Sequence, residues 1–179
     1  MPETNVTHRM LAADFLTQSY RVVGKMMVPN TGVFGLINDP TTSFMEVVDA
    51  KLARIHMPTK LVGEYKVIDL VKDNVFAICL TRREDVGPQA LARGGYQNLV
   101  EYSIRLTTRV YELEGIMEWS GRFNFAAIMV EGVRDFVPIY KATLTAILIP
   151  QLRIESPAIL FNRRQVDLLG LVSEKKESA

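Results

Sequence analysis

The sequence predicts an α+β fold that is mainly β. It reads as two tandem β-α-β-β-β repeats packed as an intramolecular pseudo-two-fold pair, with an N-terminal helix. Three observations lead there. The stretches "FMEVVDAKLARIHMP" (44–58) and "FVPIYKATLTAILIP" (136–150) share spacing and ending. Identities flank them at a nearly constant offset: Tyr20 and Tyr111, Gly24 and Gly115, Met26 and Met117, then Ile68 and Ile159, Val75 and Val166, Leu80 and Leu171. Of the 179 residues, 48% are hydrophobic and 23% charged, enough apolar side chain for a sizeable core.

The elements follow in order. Residues 1–19 contain "THRMLAADFLTQ", read as a helix with Thr7 as N-cap and Met10, Leu11 and Phe15 on its apolar side. Repeat 1 covers 20–81. It opens on the strand "YRVVGKMMV", and the apolar spacing of "VFGLIND" then suits one or two helical turns. In the strand from Phe44, alternation puts Phe44, Val48, Ala50 and Leu52 on one face, and Pro58 closes it. The strands "EYKVIDLV" and "VFAICL" follow, joined by the polar turn "KDN". Residues 82–110 are a linker and leading strand. The linker carries Gly87, Pro88, Gly94 and Gly95, with a turn of helix expected at "PQALAR", and the strand is "VEYSIRLTTRV". Repeat 2 covers 111–172, with "NFAAIMVEG" as its helical turn and "RRQ" joining its last two strands. Residues 173–179, "SEKKESA", form a charged tail expected to be disordered. One unit of this size has a thin core and bare strand edges, so the second copy is read as the partner of the first.

Composition narrows the function. A net charge of +1 lacks the basic excess typical of nucleic-acid binding. The lone Cys79 cannot form an internal disulfide and sits in an apolar run. "MPETNVTHRM" has no signal-peptide core and no stretch has the length of a membrane span, so a cytoplasmic protein without membrane contact is expected.

The metal-ligating types His8, His56 and Cys79 are far apart and lack ligand spacing, so neither metal nor cofactor is expected. No nucleophile signature appears and no catalytic residue is assigned. The matched acids Glu64 and Glu155 read as solvated strand-start positions, and Gly94-Gly95 as a turn rather than a phosphate loop. The candidate contact residues are six arginines: Arg82, Arg83, Arg105, Arg109, Arg163 and Arg164. Arg105 and Arg109 share a parity on their strand, opposite Tyr102, Ile104, Leu106 and Val110. If the arginines converge they would hold phosphates or an acidic partner; otherwise they solvate strands and deter edge pairing.

Three functions stay open. The first is a non-enzymatic binding or scaffold protein acting through protein contacts or self-association. The second is a small-barrel nucleic-acid-binding module using the arginines. The third is a small-ligand binder or enzyme with a pocket between the repeats.

The pieces "GKMMVPNTGVFGLIND", "FMEVVDA" and "LVKDNVFAI" resemble a bacterial tandem-repeat family of unknown function. In that family a strand with a central glycine leads through a short helical turn to two further strand motifs. The second copy departs from the pattern at "AAIMVEG" and "NRRQVDLL". This resemblance implies no activity. A fainter likeness is to Sm-like RNA-binding barrels. Glu46 stands where that likeness calls for Asn, and Lys72-Asp73 where it calls for Arg-Gly. The stretch from Gly24 to Phe44 is also longer than the barrels have. These departures fall on the nucleotide-contacting positions, so no RNA contact carries over.

Overall fold

A computed structural model describes residues 7–88, 99–130, 132 and 134–173. The first half contains β1 (His8–Thr17), β2 (Tyr20–Pro29), α1 (Phe34–Ile37), β3 (Phe44–Arg54), β4 (Leu61–Val71) and β5 (Val75–Leu80). The second contains β6 (Leu99–Thr108), β7 (Tyr111–Ser120), α2 (Phe125–Met129), β8 (Phe136–Ala146), β9 (Arg153–Asn162) and β10 (Val166–Leu171). All ten strands belong to one sheet in the order β10-β6-β7-β8-β9-β5-β1-β2-β3-β4. Every pairing in it is antiparallel.

The α+β expectation is therefore corrected. Among the described residues the molecule is an antiparallel β protein with two α-helices, each about a single turn. Its repeating unit has five strands, because the half begins one strand earlier than the sequence reading placed it. The N-terminal helix is corrected with it: residues 8–17 form β1. Leu11, Ala13 and Phe15 are buried at alternate positions, a period of two. Pairing with β2 on one side and β5 on the other overrides the helix propensity of the Leu and Ala residues.

The equivalence of the halves reaches individual atoms. At the β1–β2 turn Thr17 Oγ1 accepts from the Tyr20 amide at 3.1 Å, and at the β6–β7 turn Thr108 Oγ1 accepts from the Tyr111 amide at 2.9 Å. Asp49 in β3 and Lys141 in β8 have positive φ, 50° and 47°. Each marks a bulge, and the strand opposite skips a partner at Gly24 or Gly115. A Cβ on Gly24 would lie 2.5 Å from Val47 Cγ1, and one on Gly115 would lie 3.0 Å from the Tyr140 carbonyl oxygen. The repeated glycines let the bulged backbone come close. The bulge also corrects the expected face of β3. Alternation is broken at Asp49, so Met45, Val47 and Ala50 are buried while Phe44 is exposed.

Side chains from widely separated strands meet in two clusters, which requires each half of the sheet to curl. The first cluster gathers Phe15, Val28, Val47, Ile78 and, from α1, Phe34 and Ile37. The second gathers Leu106, Tyr111, Leu113, Ile139 and Leu144. Each borrows from the other half: Phe136, Tyr140 and Leu160 enter the first, and Leu16, Phe76 and Cys79 the second.

The expected pseudo-two-fold pair is corrected by the same seam. A two-fold axis sets equivalent strands against each other. Here β5 pairs with β9, the counterpart of β4, so the halves meet head to tail. Residues 89–98 and 174–179 lie outside the described residues. The expected helical turn at "PQALAR" and nearly all of the charged tail fall there.

Candidate functional site: the inter-half seam and the free edges

The β5–β9 seam pairs Ala77 with Phe161, Ile78 with Leu160, Cys79 with Ile159 and Leu80 with Ala158. All eight side chains are buried. Residues of β5 are covered on both faces because neighbouring positions project into different cores: Ile78 and Leu80 into the first, Ala77 and Cys79 into the second. Burial pushes the Cys79 thiol far above its ordinary value, and the nearby Asp14 charge adds to the shift. Cys79 is thus a packed, un-ionised thiol.

Polar clamps flank the seam. The Phe136 amide donates to Asn38 Oδ1 at 2.8 Å, and Asn38 Nδ2 donates back to the Phe136 carbonyl at 3.0 Å. Asn38 follows α1, so this exchange ties the first half's helical turn to the leading residue of β8. Tyr111 Oη donates to the Thr17 carbonyl at 2.6 Å, and Ser156 Oγ to the Leu80 carbonyl at 2.7 Å. The buried Asn162 Nδ2 donates to the Val75 carbonyl at 3.0 Å. Gln165 Nε2 reaches the Asp73 carbonyl at 2.6 Å. Sequence reasoning missed these clamps, because their partners are backbone atoms that no side-chain pattern announces.

The sheet ends on β4 and β10, neither paired on its outer side among the described residues. Both edges expose apolar side chains: Val67 and Val71 on β4, Leu168 and Leu171 on β10, with Phe44 beside them on β3. Their counterparts at the seam are buried. Phe44 is 53% exposed and Phe136 1%; Val67 is 52% exposed and Ala158 0%; Leu168 is 55% exposed and Ala77 0%.

The six arginines do not form one patch. Arg82 Nη2 lies 2.9 Å from Asp85, which Arg9 also meets at 2.7 Å. Arg83 pairs with Glu118 and stacks over the Tyr140 ring at 4.0 Å. Arg105 sits between Glu112 at 3.0 Å and Glu114 at 3.4 Å. Arg109 is exposed beyond the end of β6, so the expected shared strand face with Arg105 does not form. Arg163 and Arg164 meet at Asp135, and Arg164 also reaches Asp73 at 3.6 Å. Five of the six are thus matched by carboxylates on their own surface, which reduces any net positive field.

A cavity of about 280 Å³ opens in the second half, with one wall residue from the first. Phe34 comes from the first half, and Met117, Trp119, Ile128, Pro138 and Tyr140 from the second. Burial, and then the charge of Glu118, push the Tyr140 hydroxyl up to about 12, with Arg83 opposing, so it stays protonated at neutral pH. Arg134 lies over the Phe34 ring at 4.9 Å. Among the described residues no three His, Cys, Asp or Glu side chains group as metal ligands. Glu64 and Glu155 occupy equivalent strands of different halves and share no site. No helix among the described residues is long and apolar enough to cross a membrane.

Compared with family models, with curated proteins and with solved structures, the chain matches none.

Proposed function

We propose that the protein is a non-enzymatic binding or scaffold module of the cytoplasm, working through protein–protein contacts along its free strands β4 and β10. One observation carries the reading: both edges expose apolar side chains whose counterparts at the seam are buried. A bare strand edge offers main-chain donors and acceptors to an added strand, and the apolar side chains supply the surface to cover. The arginine positions support an acidic or nucleic-acid partner less well, because most are already matched by acids.

The test compares capture from host lysate by the wild-type chain and by Val67→Asp, each with and without nuclease. Nuclease-resistant protein bound by the wild type and lost with Val67→Asp is the expected result. Capture dominated by nuclease-sensitive RNA or DNA, unchanged by Val67→Asp, contradicts it.

The cavity favours a second reading, small-ligand binding in the second half where Phe34 of the first half closes the wall. Trp119 is the single tryptophan of the chain and lines the cavity, so its fluorescence reports occupancy. Saturable quenching by an apolar small molecule, lost on filling the cavity with Ala127→Phe, supports that reading. Quenching that survives the substitution contradicts it.

A further inference from the structure

The seam and the free edges are the two sides of one type of contact. Within the chain the fifth strand of the first half pairs with the fourth strand of the second, β5 with β9. The fourth strand of the first half, β4, and the fifth strand of the second, β10, are left bare at opposite ends of the sheet. A contact between equivalent units that uses different surfaces on each leaves one copy of each surface unused, and it repeats until it closes or runs on. We infer that β10 of one copy pairs antiparallel with β4 of another, repeating between chains the seam that already joins the halves within one. This rests on the edge-binding reading above and names the partner as a second copy of the chain.

The inner pairings of the two edge strands support the same register. Leu80, Cys79, Ile78 and Ala77 pair on β1 with Ala13, Asp14, Phe15 and Leu16. Leu171, Gly170, Leu169 and Leu168 pair on β6 with the equivalent Ile104, Arg105, Leu106 and Thr107. On the other side, Ala158, Ile159 and Leu160 pair on β8 with Tyr140, Ile139 and Pro138. Val67, Ile68 and Asp69 pair on β3 with Val48, Val47 and Glu46. Each edge strand thus sits in the frame its buried counterpart occupies. Transferring the seam register sets Leu171 opposite Val67, Gly170 opposite Ile68, Leu169 opposite Asp69 and Leu168 opposite Leu70. Phe44 then takes the place that Phe136 holds at the seam.

One position departs from the seam. Asp69 stands where Leu160 is buried in the first core. A carboxylate there opposes burial, so the contact between chains is weaker than the seam and reversible. Charged residues of this kind on edges limit uncontrolled pairing.

The test is the mass in solution of the full chain by sedimentation, alone and in mixtures. Val67 and Leu171 are exposed in the single chain, so Val67→Asp and Leu171→Asp leave its core intact. The wild type is expected to show concentration-dependent species at multiples of the single-chain mass. Each variant alone is expected at the single-chain mass. Their equimolar mixture is expected to form a species of twice that mass, joining the intact β10 of Val67→Asp to the intact β4 of Leu171→Asp. Asp69→Leu, which restores the seam residue, is expected to tighten assembly roughly tenfold or more.

A wild type that stays at the single-chain mass overturns the inference. So does a mixture that fails to form the paired species, or an Asp69→Leu chain that assembles no better than the wild type. If the wild type stays single yet still captures protein in a Val67-dependent way, self-pairing fails while the edge-binding reading stands.

Discussion

Gly24 and Gly115 show how a single residue sets the curvature of each half. Their missing Cβ atoms admit the bulged strands at Asp49 and Lys141. Gly24→Ala is expected to destabilise the chain by about 1–3 kcal/mol through overpacking against Val47 and the Val48 carbonyl. Thermal denaturation checks this, and an unchanged midpoint contradicts it.

Asp85 is a second residue-scale test. Burial raises its carboxyl, but hydrogen bonds and charges from Arg82 and Arg9 outweigh it, and the group titrates below its ordinary value. A lowered carboxylate contributes stability that is full above the unfolded value, near 4, and lost as pH falls through the folded one. Asp85→Asn is expected to flatten the loss of stability in that acid window, read from urea midpoints between about pH 5 and pH 2. An unchanged acid limb contradicts the assignment.

At the scale of elements, β3 and β8 share sequence and bulge but not surroundings. Phe136 is sealed by Asn38 and the first core, whereas Phe44 borders the free edge. Phe136→Ala is expected to cost about 3–5 kcal/mol, and Phe44→Ala in the single-chain state about 1 kcal/mol or less. Equal losses would mean that the edges are not free. β5 gives a companion expectation. Its Cys79 should resist thiol reagents in the native state and react at a rate that follows global unfolding.

The same elements show what was legible in the sequence. Offsets between Gly24 and Gly115, or Phe44 and Phe136, exposed the repetition because glycine spacing and apolar periodicity survive divergence. The first strand of the first half reads as a helix, because Leu and Ala in "MLAADFL" fit a helical period as well as a strand, whereas its counterpart "VEYSIRLTTRV" reads as a strand; Thr17 and Thr108 continue the offset that makes the two equivalent. The bulges left no local signal, since Asp49 and Lys141 are ordinary strand-surface residues in a one-dimensional reading. Of the candidate arginines, the convergence of Arg163 with Arg164 was within reach, being adjacent. Asp85 beside Arg82, and Glu112 and Glu114 across the hairpin from Arg105, are also near in sequence, whereas Glu118 and Asp135 lie far along the chain from the arginines they pair with and were not within reach.

At the scale of the whole molecule, identical letters meet opposite fates because of which strand ends up beside which. The uninterrupted apolar run 157–161 of β9, set against Glu64, Lys66 and Asp69 of β4, marks β9 as the strand buried on both faces, but it does not say which strand lies beside it. That neighbour is set only when two halves join head to tail, and the joining leaves a matching pair of edges. The most direct measurement of this account is amide hydrogen exchange of the wild-type chain across a wide range of protein concentration. Amides of β4 from 67 to 70 and of β10 from 168 to 171 are expected to gain protection as concentration rises, while those of β5 and β9 stay equally slow throughout. Protection at β4 and β10 that does not change with concentration would contradict the claim that the free edges repeat the seam between chains.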